Sequence, residues 1–203
     1  MGGGKTHGPS ENRLKKHCPF TRAGLPAINM TILIPAWVND QLQPMEKLEV
    51  HRQGLRHLAV SVFAMHGDDV LMQKRALSKY HTPGLWTNTC CTHPAWDEDP
   101  RDCAIRRLDE ELGLRAMQPT WRQRTEYRAD VGNGLIEHEL VDIFLVELQQ
   151  KPQFQCNPEE VMETSWVNIK SLREDVAQNP QIYTPWLKIY LEKHAPEIFG
   201  GRL

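Results

Sequence analysis

Leu58 to Met65 is almost continuously apolar, the pattern of a strand buried on both faces. Gly67-Asp68-Asp69 turns the chain, and Val70 to Arg75 returns as a hairpin partner. Ala76 to Gly84 reads as a loop ending in Pro83-Gly84, and Leu85 to Cys91 as extended. Ahead of these, residues 31–50 predict a short strand, a turn near Asn39-Asp40 and a lead-in carrying Lys47. Residues 100–112 predict a helix: Asp99 caps it, Pro100 takes the first position and Gly113 ends it. Ala104, Leu108 and Leu112 form its apolar stripe, while Arg107 and Glu111 share another face one turn apart. Tyr127 to Asp130 reads as a strand, Gly132-Asn133-Gly134 as a turn, Leu135 to Leu148 as a long strand and Thr164 to Ile169 as a further one. Two helices close the chain, the last starting at Thr184-Pro185. Hairpins interleaved with helices predict an α+β fold, with α/β/α layers around a mixed sheet.

Composition narrows the classes. The chain has 203 residues, enough for one domain with a sizeable core, and a net charge of −2. Residues 1–30 carry Lys5, Arg13, Lys15, Lys16 and Arg22 against Glu11, a balance of +4 that leaves −6 for the rest. An acidic body argues against nucleic-acid binding. No apolar run approaches the roughly 18 residues of a membrane span, and residues 1–30 have no apolar stretch of signal-peptide type. We therefore expect a disordered extension over 1–30 and a single domain over 31–203. The five cysteines are odd in number and match no disulfide framework, which favours a reducing, cytoplasmic setting. A small-molecule partner and a monomer or weak homodimer complete the expectation.

The candidate chemistry lies in three stretches. Between Trp86 and Pro94 the chain places Cys91 two residues before His93, and an extended backbone sends Cys90 and Cys91 to opposite faces. Glu137 and Glu139 flank His138 on a strand, so both carboxylates share one face, where burial would demand a cation or a shared proton. His51 and His57, interrupted by Gly54, suit a loop entering a strand rather than one helical face. Three histidines and two carboxylates would suit a six-coordinate divalent ion better than closed tetrahedral zinc. Taken singly, each has a plainer reading: Cys91 as core filler, Trp186 as core, Lys47, Arg75 and Lys79 as surface charges.

Several blocks in order change those odds: Lys47 to His51, Arg56-His57-Leu58-Ala59, Arg75 to Lys79, Pro83 to His93, Arg106 to Gly113, Tyr127-Arg128-Ala129, Glu137 to Glu139 and Pro185-Trp186. With them, residues 31–195 resemble the type I isopentenyl-diphosphate Δ-isomerase family, a branch of the Nudix superfamily. The Nudix pattern G-x5-E-x7-R-E-U-x-E-E-x-G-U lays onto Thr92, Glu98, Arg106, Arg107, Leu108, Glu110, Glu111, Gly113 and Leu114. Thr92 replaces the first Gly, and Arg107 stands where hydrolases carry Glu, which favours holding a diphosphate over cleaving it.

The resemblance implies a Nudix-type mixed sheet flanked by helices and a 1,3-allylic proton shift between isopentenyl and dimethylallyl diphosphate. It implies His51, His57, His93, Glu137 and Glu139 as ligands of a first metal (Mn²⁺, Mg²⁺ or Zn²⁺), and Glu111 as ligand of a second Mg²⁺ at the diphosphate. Lys47, Arg75, Lys79 and Arg107 become diphosphate contacts. Cys91 and Glu139 become the acid/base pair, Tyr127 the assistant of Glu139, and Trp186 the wall beside a developing cation. The competing readings are a Nudix diphosphate hydrolase and a non-catalytic metal-binding or thiol-sensing domain resting on the Cys90-Cys91 pair.

Overall fold

The computed structural model describes residues 32–203 and a two-residue strand, β1 (Lys16–His17). The rest of the expected N-terminal extension, Cys18 included, lies outside the described residues. The domain opens with a hairpin of β2 (Leu33–Val38) and β3 (Gln41–Glu46). Its turn residues Asn39 and Asp40 both take positive φ, 52° and 61°, the backbone a two-residue hairpin of this twist needs. Next comes a helix, α1 (Lys47–Gln53), where the sequence suggested only a lead-in carrying Lys47. The Glu46 carboxylate caps it, accepting from Leu48 N at 2.9 Å and Glu49 N at 2.8 Å, and Gly54 ends it in the left-handed region. Seven residues are too few to display a helical period, and Glu is an unusual cap, so the signal was weak.

Strand β4 (His57–His66) is the centre of the sheet. On one side it runs parallel to β9 (Leu135–Glu147), with His57 opposite Glu139. Its other side is shared by β2, at Ala36 opposite His57, by β7 (Cys90–Thr92) and by the start of β5 (Asp69–Arg75). The continuous apolar run is explained by two cores. Ala59, Phe63 and Met65 pack towards α3 (Ile169–Gln178), α4 (Pro185–Lys193) and α5 (Ala195–Phe199). Val60, Val62 and Ala64 pack towards α2 (Pro100–Leu112). The expected α/β/α layering is therefore present, with one closing helix more than the sequence suggested.

Helix α2 has the expected bounds, cap and stop. Leu108 and Leu112 are fully buried, each stabilising by about 1.5–3 kcal/mol. At Gly113, φ is 67° and an added Cβ would lie 2.9 Å from Gln155 O, so only glycine fits. Strand β8 (Thr120–Gly132) is longer than the expected Tyr127 to Asp130, because its outer half is polar and pairs only with β9. Strand β10 (Val161–Asn168) pairs with β5 and β1. The expected extended segment 85–91 is broken into β6 (Trp86–Thr87) and β7. The break is made by Asn88, whose Nδ2 donates to Val62 O and Cys90 O, and by Thr89, whose hydroxyl donates to Leu71 O. Side chains have taken over the work of the backbone ladder there.

Candidate active site

Six segments converge on one pocket of about 410 Å³, counting space open to solvent. Helix α1 brings Lys47, and β5 with its following loop brings Arg75, Lys79, Tyr80 and His81. Strand β7 and the residue after it bring Cys91 and His93, β9 brings Glu137 and Glu139, α2 brings Arg107, and the first turn of α4 brings Trp186. The four cations expected at a diphosphate thus line the same cavity as the expected acid/base pair. His51, His57 and Tyr127 sit just behind it, all buried.

Helix α1 places His51 one turn after Lys47, whose carbonyl is 2.6 Å from His51 Nδ1. Leu55 O is likewise 2.8 Å from His57 Nδ1. A carbonyl can only accept, so each Nδ1 carries the hydrogen and each Nε2 is left as a lone pair. Those Nε2 atoms lie 3.2 Å and 3.3 Å from Glu137 Oε2. His93 Nε2 lies 3.2 Å from Glu139 Oε1. His57 Nε2, both His93 nitrogens and Glu137 Oε2 have no hydrogen-bond partner although they are buried. Acceptor facing acceptor at these distances requires a positive charge between them: protons on the imidazoles or a metal ion. The donor atoms of His51, His57, His93 and Glu137 all lie within 4.8 Å of one another, and the carbonyl-anchored imidazoles are the usual support of a metal ligand. The set fits a divalent cation.

Glu139 differs from Glu137. Its cross-strand partner is Tyr127, whose hydroxyl donates to Glu139 Oε2 at 2.6 Å. Burial and the neighbouring charge of Glu137 push the Glu139 carboxyl well above the usual range. Burial also acts upward on Glu137, but the imidazoles of His51, His57 and His81 outweigh it and hold Glu137 low.

The paired thiols face opposite ways, as expected from an extended backbone. Cys90 is fully buried against α2, and Cys91 packs towards the other core and lines the pocket. Ser61 Oγ is 3.0 Å from Cys91 Sγ, and Cys91 Sγ donates to Asn88 Oδ1 at 3.1 Å. The Asn88 amide cannot turn round, because its Nδ2 is committed to two carbonyls that only accept. Its oxygen therefore faces Cys91 and calls for an S–H. Burial pushes the Cys91 thiol up to about 12. The Trp186 indole N–H donates to Thr87 Oγ1 at 2.7 Å, which fixes the ring at the pocket wall.

The cationic side is partly self-neutralised. Burial, then Lys79 and Arg107, push Lys47 down to about 8. Arg75 lies 5.3 Å from the Trp186 ring and donates to His81 O. Arg107 is bonded to Glu111 Oε1 at 2.7 Å and Glu110 Oε2 at 2.9 Å. Glu111 is buried, and its other oxygen accepts from Gln73 Nε2 at 3.1 Å. It has no orphaned atom to mark it for a metal and does not line the pocket. Glu98 and Arg106, also in the Nudix pattern, bind each other at 2.6 and 2.7 Å and serve the loop ahead of α2.

Sequence reading missed His81, Ser61, Asn88 and Glu160. His81 is buried, with Nε2 3.0 Å from Glu137 Oε1, and burial pushes it down to about 4. Asn88 lies only three residues before Cys91, while no spacing rule connects the other three to the site, because the loops and strand pairings that bring them in are long-range.

Residues 55–187 match the NUDIX domain family. A protein of Roseobacter denitrificans named isopentenyl-diphosphate Delta-isomerase is 63% identical over 171 residues, 84% of this chain and 97% of the relative. One of the same name from Ruegeria pomeroyi is 57% identical over 174 residues, 86% of this chain and 97% of the relative. Among solved structures, a MutT NUDIX hydrolase from Burkholderia pseudomallei matches with a TM-score of 0.54 at 20% identity, over 68% of this chain and 98% of that one. That likeness concerns the fold alone.

Proposed function

The chain belongs to the isopentenyl-diphosphate Delta-isomerase family of NUDIX-domain proteins, and from that premise we propose that it interconverts isopentenyl and dimethylallyl diphosphate. The observation that carries this reading is the meeting of three groups in one pocket. They are a buried His/Glu cluster short of a positive charge, a thiol and a carboxylate at its edge, and four cations beside them.

The reaction adds a proton to an unactivated alkene and removes one from a carbon two positions away. Two groups held in fixed places can do this without moving the substrate. Cys91, held as a thiol by the Asn88 oxygen, supplies the proton that forms the new C–H bond. Glu139 takes the proton released at the other carbon, and the Tyr127 hydroxyl, already bonded to it, steadies the carboxylate. Trp186 offers an aromatic face to the intermediate tertiary cation, worth about 2 kcal/mol when water is excluded. Lys47, Arg75, Lys79 and Arg107 grip the diphosphate, whose binding energy holds the allyl end in place.

His51, His57, His93, Glu137 and Glu139 would hold Mn²⁺, Mg²⁺ or Zn²⁺, whose charge favours ionised carboxylates and sets the basicity of Glu139. Glu111 as ligand of a second Mg²⁺ requires Arg107 to turn from it towards the diphosphate, which frees a carboxylate oxygen. We place the activity in one domain over 31–203, in the cytoplasm, on a free small-molecule substrate, as a monomer or weak homodimer. The free thiols Cys90, Cys91, Cys103 and Cys156 support a reducing setting.

The test is product analysis with isopentenyl diphosphate, with and without chelator. Double-bond migration that chelation abolishes and a divalent ion restores is expected. Released phosphate would mean a hydrolase, and full activity in metal-free protein would refute the role given to the histidines.

A further inference from the structure

Glu160 has no part in the mechanism above, yet it holds two of the four cations that do. It closes the turn before β10, donating from its N–H to Asn157 O at 3.0 Å, and its own carbonyl accepts from Ala76 N–H at 2.9 Å. The second bond ties it to the start of the loop that carries Lys79. Its carboxylate pairs with Lys79 through Oε2 and lies 3.2 Å from Arg107 Nη2 through Oε1. Lys79 and Arg107 line the pocket, whereas Glu160 does not. Burial would push its carboxyl up, but Lys79 and Arg107 hold it down to about 2, so the group is ionised. Lys47 and Arg75, by contrast, have no carboxylate within ion-pair distance among the described residues, and Lys47 feels the repulsion of Lys79 and Arg107.

Substrate and product of the proposed reaction carry the same diphosphate. A cradle that grips one grips the other equally. Grip beyond what binding needs adds nothing to the chemical step and slows release of product. The cations would also repel one another when no ligand is present; Arg107 has Glu110 and Glu111 besides, whereas Glu160 is the one carboxylate paired with Lys79 among the described residues.

Resting on the isomerase reading, we infer that Glu160 is the internal counter-anion of the diphosphate cradle: it steadies Lys79 and Arg107 in the free protein, competes with the ligand for them, and so weakens the hold on diphosphate enough for product to leave.

Glu160→Gln keeps the side-chain size and removes the charge. Inorganic pyrophosphate binding, read by calorimetry with and without Mg²⁺, should tighten by about fivefold or more, since a full charge beside two half-buried cations is removed. In turnover, kcat and KM should fall together. The free protein should melt lower and gain more from pyrophosphate. Glu159→Gln removes one charge at the exposed neighbour and should leave pyrophosphate binding unchanged. If Glu160→Gln does not fold, Glu160→Asp, which withdraws the carboxylate by one methylene, should show a smaller tightening. Unchanged or weaker pyrophosphate binding in the folded variant would overturn the inference and leave Glu160 as a structural brace. Wild-type protein that does not bind pyrophosphate would overturn the diphosphate reading itself, a different outcome from wild type that binds while the variant binds no tighter.

Discussion

Arg107→Glu would restore the carboxylate that Nudix hydrolases carry at this position, and the surroundings set its cost. The Arg107 side chain is 18% exposed and bonds Glu111 through Nε at 3.1 Å and Nη2 at 2.7 Å. It also meets Glu110 at 2.9 Å and Glu160 at 3.2 Å. Glu110 is half exposed, so that pair is worth at most about 0.5 kcal/mol. Glu111 is nearly buried and would keep only Gln73; stranding such a partner costs about 3–5 kcal/mol. Repulsion among four carboxylates adds to this. With a melting-point change of about 2–4 °C per kcal/mol for a chain of this size, the drop should be roughly 6–20 °C. Arg107→Met keeps the apolar stem and adds no charge, so it should fall less. Thermal denaturation with and without Mg²⁺ separates the two: both variants keep the histidine cluster, but the gathered carboxylates of Arg107→Glu should recover more of the loss with the ion than Arg107→Met does. Equal melting temperatures, with the two variants answering Mg²⁺ alike, would show that position 107 is not electrostatically coupled to Glu111 and Glu160, and would refute the reasoning.

Glu139→Gln keeps a ligating oxygen but loses the basic carboxylate, so turnover should fall by about 10²–10⁴ while pyrophosphate binding survives. Glu137→Gln should fail mainly through metal affinity and recover with excess metal; equal rescue of both would reduce Glu139 to a ligand. Cys91→Ala should lose about 10² or more in turnover, while Cys90→Ala, inside the α2 core, should lose about 1–2 kcal/mol of stability and little activity. Turnover assays beside denaturation curves would show whether the two losses separate, and a reversed pattern would mean the strand faces are assigned the wrong way round.

Much of this was legible in the chain because its physics is local. The continuous apolar run of Leu58 to Met65 requires a strand with cover on both sides, and the structure supplies two cores. Helix α2 carries its own cap, proline and terminal glycine, so its bounds needed no tertiary information. Alternation on β9 alone put Glu137 and Glu139 on one face, and alternation on β7 separated Cys90 from Cys91. Tertiary structure decided the remainder. Helix α1 is too short to show a period, and its cap, though local, is a Glu, a residue that seldom signals a helix start. The two imidazole tautomers rest on carbonyls close by in the chain, but the protonation of Cys91 depends on an amide oriented in part by Val62 O, which the β4 and β7 pairing brings beside it. Arg107 and Glu111 were readable as neighbours one turn apart, but the second hold on Arg107, from Glu160, was not. Periodicity and capping act over a few residues and can be read from them. The orientation of Asn88 by Val62 and the compensation of Lys79 and Arg107 by Glu160 depend on groups far apart in sequence, and only the folded chain brings those groups together.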